Sequence, residues 1–156
     1  MVIVDAQSVK NTESVHVKGY DGGKKVSGIK RHVAVDSQGL PHAFAVTAAN
    51  VSDRQGAIDM LRNQGQLVLV QKVLVDSAYT GQDFASSIKD LIGAEVEVAK
   101  RSDLHTFVVI PKRWVVERSF SWVEKCRRLW KNCERLISSS LAMMQLAFIR
   151  MLLIRL

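Results

Sequence analysis

Cysteine is scarce in this sequence, and the two that are present, Cys126 and Cys133, suit neither a disulfide nor a metal site. The apolar spacing around them predicts a single helix, on which they would lie two turns, or about 10 Å, apart, too far for a disulfide. No His or Cys stands near them at the short spacing of a zinc site. We therefore expect two buried thiols in a reducing cytosol.

Long hydrophobic runs are also lacking. The first apolar run ends at Asp5, which argues against a signal peptide. The C-terminal run Leu141–Leu156 is too short for a bilayer. Three polar residues interrupt it: Gln145, Arg150 and Arg155. We expect a buried helix capped by Ser138–Ser140, with an interfacial membrane helix as the less favoured alternative.

Acidic residues are few relative to basic ones. The 156 residues contain 15 Asp and Glu against 22 Lys and Arg, which gives a net charge of +7. Such an excess favours a polyanionic partner, most commonly nucleic acid. Low-complexity tracts are absent and 47% of the residues are hydrophobic. The sequence therefore predicts one globular domain over residues 1–156.

One stretch combines the basic charge with an amphipathic pattern. Pro111 opens it, and apolar residues at helical spacing follow at Val116, Phe120, Val123 and Trp130. The other face is basic: Arg113, Arg118, Lys125, Arg127, Arg128 and Lys131. Such a helix usually covers a core or faces nucleic acid or a membrane. A single acid inside the basic run, Glu117, needs a separate explanation.

The order of strand-like and helical runs along the chain predicts an α/β fold. Strand-like runs lie at residues 2–4, 32–35, 42–46, 71–75 and 94–99, and helices are predicted at 55–62, from 82 to about 92, and through the C-terminal third. The Gly- and Lys-rich segment 6–29 predicts a flexible loop or irregular hairpin, or a basic loop facing phosphates. Three antiparallel strands followed by parallel crossover units, flanked by helices, give the order of a ribonuclease H-like mixed sheet.

Three of the predicted strands run into an aspartate: Asp5, Asp36 and Asp76. If the second strand is antiparallel to the first, Asp36 lies at the opposite edge, where the 36–39 hairpin explains it. A fourth strand parallel to the first would bring Asp76 to the edge of Asp5. Two adjacent carboxylates repel unless a cation lies between them, and their oxygens suit Mg²⁺ or Mn²⁺. Glu117 could complete this site, while simple turn capping remains the alternative for each aspartate.

Several segments resemble the catalytic half of bacterial insertion-sequence transposases of the DDE type, in the lineage usually called IS-five. They are residues 5–10, 19–25, 30–36, 47–54, 75–81 and 113–122, in the expected order and across nearly the whole chain. The resemblance implies that Asp5, Asp76 and Glu117 are the catalytic triad and bind two Mg²⁺ or Mn²⁺ ions. It implies DNA cleavage and strand transfer in a bacterial, nucleoid-associated cytoplasmic protein.

The resemblance also implies the partners. They would be double-stranded DNA, as element ends and target, and further copies of the chain on that DNA, without a membrane. Basic residues would position the DNA backbone. We expect this role for Lys24, Lys25, Lys30, Arg31, Arg113, Arg118 and Arg128.

Three features depart from the family pattern. Related transposases carry a tyrosine three residues before the arginine that corresponds to Arg113, where this sequence has Ile110. They also carry a lysine seven residues after the glutamate that corresponds to Glu117, where this sequence has Glu124. Lys125 or Arg128 could supply the missing charge. Asp5 lies so near the start that we expect the helical DNA-binding region to be absent. Two further functions therefore stay open: a simple Mg²⁺-dependent nuclease, and a non-catalytic DNA-binding or oligomerisation fragment that inhibits a full transposase.

Overall fold

The computed structural model describes residues 1–13, 15–63, 67, 69–99 and 113–154. The strands are β1 (Val2–Lys10), β2 (Gly19–Asp21), β3 (Val26–Val35), β4 (Pro41–Ala48), β5 (Lys72–Val75) and β6 (Glu95–Val98). The helices are α1 (Asp53–Asn63), α2 (Gln82–Ile92), α3 (Arg113–Glu124) and α4 (Ile137–Leu153), and a 3-10 turn spans Ser77–Tyr79. Residues 100–112, which include the predicted helix start at Pro111, lie outside the described residues.

The strands form one mixed sheet in the order β2-β3-β1-β5-β6, with β4 also pairing with β3. β3 is antiparallel to β1, β2 and β4, whereas β5 is parallel to both β1 and β6. The β3–β4 hairpin turns at Gly39, whose φ of 85° favours glycine. The predicted antiparallel strands followed by parallel strands are therefore confirmed, with β2 as an additional short strand in the glycine-rich segment.

Helices cover both faces of the sheet. One apolar layer joins alternate residues of the sheet, such as Ile3 and Leu74, to α3 and α4. The other joins the intervening residues, such as Val4 and Val75, to α1 and α2. Because successive strand residues face opposite layers, a one-residue shift in register would exchange the two sets.

Local sequence signals define the ends of α1 and α2. The Ser52 hydroxyl accepts a hydrogen bond from the Gln55 backbone N–H (3.1 Å), the contact by which a serine caps the start of a helix. Helix α2 ends at Gly93, which has a left-handed conformation (φ 69°) and donates its N–H to the Lys89 carbonyl. Both helices confirm the sequence prediction.

The predicted basic helix is shorter than expected. α3 ends at Glu124, and turns follow as far as residue 131. The Leu129 carbonyl accepts a hydrogen bond from the buried Arg31 guanidinium (2.7 Å), and the Asn132 backbone N–H donates to the Lys10 carbonyl (2.9 Å). These contacts with the sheet override the helical spacing. The prediction that both cysteines lie on one helix is therefore wrong.

The terminal helix also differs from expectation. α4 begins at Ile137, so Ser138–Ser140 lie in its first turn and do not cap it. The Ser140 hydroxyl donates to the Asn132 side-chain oxygen (2.6 Å). Only one face of α4 is buried, whereas Leu146 and Ile149 are more than half exposed. Among the described helices, none is long and apolar enough to cross a membrane.

Candidate active site

Asp5 and Asp76 lie at equivalent positions on neighbouring strands. Val2 and Ile3 of β1 pair in register with Val73 and Leu74 of β5, and the same register two residues further on aligns Asp5 with Asp76. β1 does not end at Asp5, as the sequence predicted, but continues to Lys10, because β3 pairs with it along that length. β5 ends at Val75, so a crevice opens beside Asp5 at the carboxyl end of the parallel pair.

Glu117 reaches this crevice from α3. Asp5, Gln7, Lys24, Glu117 and Glu124 are among the residues lining one cavity of about 260 Å³. Glu117 is exposed and Asp5 is half-buried. Val116 and Phe120, on either side of Glu117 in the sequence, are buried in the layer between α3 and the sheet. The packing of α3 therefore fixes Glu117 beside the sheet edge that carries Asp5.

Asp76 does not line this cavity. Its side chain accepts a hydrogen bond from the Ala78 backbone N–H (2.9 Å), which caps the 3-10 turn. Among the described residues, no group of three His, Cys, Asp or Glu side chains is arranged closely enough to hold a metal ion. The structure thus brings Asp5 and Glu117 together and leaves Asp76 on the adjacent strand end. Asp36, as expected, caps the β3–β4 hairpin by accepting from the Gln38 and Leu40 N–H groups.

The donor set at this edge fits a hard divalent cation. Its potential metal ligands are oxygen groups, led by the carboxylates of Asp5 and Glu117, and neither a thiol nor an imidazole lines the described cavity. Mg²⁺ keeps several of its own waters and is usually held by one or two protein carboxylates together with substrate phosphates. Asp5 and Glu117 in one cavity, with Asp76 on the neighbouring strand, therefore suit such an ion without forming a closed cage.

Position 124, where the family pattern has a lysine, takes part in this cavity. The Glu124 carboxylate accepts a hydrogen bond from the Gln7 side-chain amide (2.6 Å). The cation that enters the cavity is instead Lys24, from the turn between β2 and β3. Its ammonium donates to the Ala6 carbonyl (2.9 Å) and lies 3.7 Å from an Asp53 carboxylate oxygen. A positive charge is thus held beside Asp5 by residues other than those of α3.

A buried charge network lies between β1, β3 and the start of α1. The Lys30 ammonium lies 2.7 Å from Asp53 and 3.3 Å from Asp21, and it donates to the Val51 carbonyl (2.8 Å). The Ser8 hydroxyl donates to Asp21 (2.6 Å). This hydrogen bond, aided by the Lys24 N–H and the Lys30 charge, lowers the pKa of Asp21 to about 2. The network ties α1 and the β2–β3 turn to the strand of Asp5.

The sequence interpretation missed this network. Lys30 and His32 are alternate residues of β3, a strand with neighbours on both sides and helices on both faces. Polar side chains at such positions are buried, so each needs an ion pair or a hydrogen bond. The sequence signal that could have indicated this network was Lys30, a basic residue two positions before His32 within a central strand.

The structure corrects two of the predicted DNA contacts. Lys30 and Arg31 are only 5% and 2% exposed, so neither can face DNA. Arg31 donates to the Leu129 carbonyl, and burial lowers its pKa to about 10, which leaves it charged at neutral pH.

Other predicted DNA contacts remain at the surface or are held by neighbouring groups. Arg118 lies between Trp114 and Trp122 and donates to the Gln38 carbonyl (2.7 Å), which fixes it at the hairpin end of the sheet. Arg128 is exposed and pairs with Glu134 (2.6 Å). Lys24 and Lys25 are exposed. The Arg113 side chain lies outside the described part of the structure.

Comparison with known proteins identifies the family. A sequence model of the transposase DDE domain family matches residues 1–152. This chain belongs to that family. It is 34% identical over 116 residues to the protein assigned as transposase for insertion sequence element IS402 from Burkholderia cepacia, across 69% of this chain and 54% of that protein. The chain thus spans about half the length of this curated relative.

The fold comparison agrees with the family. The catalytic core domain of BIV integrase, in crystal form I, superposes with a TM-score of 0.57 at 14% identity, over 95% of this chain and 80% of that one. The predicted ribonuclease H-like fold is therefore confirmed, as is the resemblance to DDE-type insertion-sequence transposases. The narrower assignment to the IS-five lineage stays a prediction.

Proposed function

We propose that this chain is the catalytic domain of a transposase that cuts DNA at an element end and joins the released end to target DNA. One observation carries the proposal: Asp5 and Glu117 share a cavity at the end of the β1–β5 pair, level in register with Asp76. Family membership supplies the reaction class. We assign Asp5, Asp76 and Glu117 as the residues that hold two Mg²⁺ or Mn²⁺ ions.

The chemistry is two successive transfers at phosphorus. A water oxygen attacks the phosphorus at the element end, and the bond to the 3′-oxygen breaks to leave a 3′-hydroxyl. That hydroxyl then attacks a target phosphorus, forms the new ester bond and displaces the target's own 3′-oxygen. When bound, the metal ions would activate the attacking oxygen and stabilise the leaving one. The chain's own carboxylates orient the reacting groups in the cavity and neutralise the ions.

The charge near the cavity supports a DNA path along β1. Lys24 enters the catalytic cavity, whereas the next residue, Lys25, enters a second cavity of about 430 Å³. Lys10 and Lys18 also line this second cavity, together with one acid, Glu13. Because β1 contributes residues 5–8 to the first cavity and Lys10 to the second, the two lie about three residues, or 10 Å, apart along the strand. We propose that the second cavity holds phosphates flanking the scissile one.

The setting follows from the reaction. We propose that the protein acts in the bacterial cytoplasm at the nucleoid, as an oligomer of like chains on double-stranded DNA. Of the expected DNA contacts that are described, Lys24, Lys25 and Arg128 remain in this proposal, because their side chains are exposed.

A cleavage and joining assay tests the proposal. The protein is incubated with Mg²⁺ or Mn²⁺, labelled DNA from the ends of its element, and a target plasmid. We expect nicked and joined products that require the metal. Asp5→Asn, Asp76→Asn and Glu117→Gln should each lower both products at least about a hundredfold, because each weakens metal-assisted charge stabilisation worth several kcal/mol.

Asp36→Asn is the matched control, because an Asn oxygen can still accept the hydrogen bonds that cap the hairpin. It should retain wild-type activity. Full activity of Asp76→Asn would contradict the triad. Cleavage without joining would indicate a simple nuclease, and a shifted but intact duplex would indicate a non-catalytic DNA-binding fragment.

A further inference from the structure

The second cavity combines positive charge with an exposed aromatic ring. Lys10, Lys18 and Lys25 line it, and Tyr20 contributes a ring that is more than half exposed. Lysines alone can hold phosphates, because a phosphate contact needs only a charge or a hydrogen-bond donor. The DNA path proposed above therefore accounts for the lysines of this cavity and leaves its aromatic ring without a function.

The strand that carries Tyr20 fixes the direction of its ring. Tyr20 pairs with Ser27 of β3, and Ser27 lines the same cavity. The next residue of β2, Asp21, accepts a hydrogen bond from the Ser8 hydroxyl (2.6 Å) and lies 3.3 Å from the buried Lys30 ammonium. Successive side chains of a strand point to opposite faces, so these contacts of Asp21 keep the Tyr20 ring on the side of the cavity. The ring is therefore held in place before any ligand arrives.

The face of the Tyr20 ring is open, unlike those of the exposed tryptophans. Arg118 lies over the ring of Trp114 (4.6 Å to the centroid), and Lys131 lies over that of Trp130 (4.5 Å). Among the described residues, none places a ring or a cationic group over Tyr20. Tyr20 can therefore stack on a flat ligand that enters the cavity.

A base-paired duplex would not use such a ring. Its bases stack on one another inside the helix, and its outer surface presents the phosphates that lysines contact. A single strand exposes the faces of its bases, and proteins that bind one combine a positively charged groove with aromatic side chains on which the bases stack. The three lysines and the open ring of this cavity match the single-stranded pattern. Its volume of about 430 Å³ lies in the range of clefts that hold small molecules.

We propose that the second cavity binds an unpaired stretch of DNA next to the scissile phosphate, with one base stacked on Tyr20 and the lysines on the adjoining phosphates. The consecutive residues Lys24 and Lys25 enter the first and the second cavity respectively, so the two cavities adjoin at the β2–β3 turn. The unpaired bases would therefore be those close to the cut. This inference rests on the proposed function, because that function brings DNA to the cavity.

Fluorescence anisotropy with a labelled single strand of mixed sequence tests the inference, in a chelator so that no DNA is cut. Tyr20→Ala should raise the Kd about fivefold or more, the lower end of what stacking on one base contributes. Tyr20→Phe keeps the ring and should bind like wild type. An abasic strand of the same length keeps the phosphates without the bases, so Tyr20→Ala should bind it, and a duplex, as tightly as wild type does. Trp130→Ala, at an exposed ring that lines neither cavity, is the control and should leave all three affinities unchanged.

The two proposals fail in distinguishable ways. If Tyr20→Ala binds the single strand like wild type, or loses as much affinity for the abasic strand, no base stacks on the ring and the inference is wrong. Loss of binding by Tyr20→Phe would also overturn it, because the hydroxyl and not the ring would then make the contact. In each case the DNA path stands as long as replacing Lys10, Lys18 and Lys25 with glutamine weakens duplex binding. If wild type binds neither strand nor duplex, the proposed function itself is wrong.

Discussion

Adjacent side chains of β3 face opposite layers of the molecule, and this alternation determines what its basic residues do. Lys30 and His32 face α1, where Lys30 pairs with Asp53 and the imidazole packs against Gly56. Arg31 faces the other layer and binds the Leu129 carbonyl. Such charges are retained in the interior only with good partners, because the cost of desolvating them is large. These residues therefore stabilise the layers around Asp5 and do not bind DNA.

His32 makes the stability of the fold depend on pH. It is fully buried, and burial lowers its pKa to about 4 from the ordinary 6.5. Between these values the unfolded chain binds a proton that the native protein excludes, so the stabilisation is complete above pH 6.5 and is lost as pH falls towards 4. The full difference amounts to about 3 kcal/mol.

Urea unfolding at several pH values measures this effect. The free energy of unfolding of wild type should fall more steeply from pH 6.5 to 4 than that of His32→Gln, which has no imidazole to protonate. His16→Gln, at an exposed histidine, should follow the wild-type slope. Equal slopes for wild type and His32→Gln would show that the imidazole is not held in its neutral form.

At the scale of elements, the contact between α1 and β3 depends on a glycine. A Cβ on Gly56 would fall within the His32 ring, which is buried and has no room to move. Helix α1 also carries Asp53 and Arg54, which bind Lys30 and the Ala78 carbonyl. The close approach of this helix therefore links the charge network to the turn that follows Asp76.

Gly56→Ala should destabilise the protein, although glycine to alanine within a helix usually stabilises by about 0.5–1 kcal/mol. We expect a loss of about 1–3 kcal/mol from overpacking, measured by chemical denaturation. Gly22→Ala is the control, because a Cβ there meets no atom within 4 Å. If Gly56→Ala were as stable as wild type, the helix would not depend on this close approach.

The elements that follow local signals were predictable from the sequence. The β-branched runs and the Asp36–Gly39 turn gave the antiparallel strands, and the crossover between β1 and β5 aligned Asp76 with Asp5. The second half of β1 was not predictable, because only Ala6 and Val9 are buried apolar residues there, and the polar residues between them line a cavity or join the charge network. The end of α3 depends on the distant partners Arg31 and Asn132, which local periodicity cannot reveal.

The site was predictable to a similar degree. Chain topology and the family resemblance assigned Asp5, Asp76 and Glu117, and two of them do share a cavity. The role of Lys24 depends on the geometry of the β2–β3 turn, which no sequence spacing specifies. Lys25, for example, has a positive φ of 53°, and it enters a different cavity from Lys24.

The molecule has a net charge of +7, but not all of its basic residues face solvent. Lys30 and Arg31, for example, are buried within the fold. The second cavity concentrates exposed charge on Lys10, Lys18 and Lys25, beside the 58% exposed ring of Tyr20. Each lysine that neutralises a DNA phosphate releases counterions and adds about 0.9 to the slope of log affinity against log salt. The location of the charge, and not only its total, should therefore determine how DNA binding responds to salt.

Replacing Lys10, Lys18 and Lys25 together with glutamine should weaken binding to a long duplex and reduce that slope by up to about 2.7. Fluorescence anisotropy at several salt concentrations measures both effects. Replacing Arg62, Lys89 and Arg150 with glutamine removes the same charge from residues that line neither cavity, and should leave the slope close to wild type. Equal losses in the two triple variants would mean that DNA senses only the net charge, and the second cavity would then not be part of the DNA path.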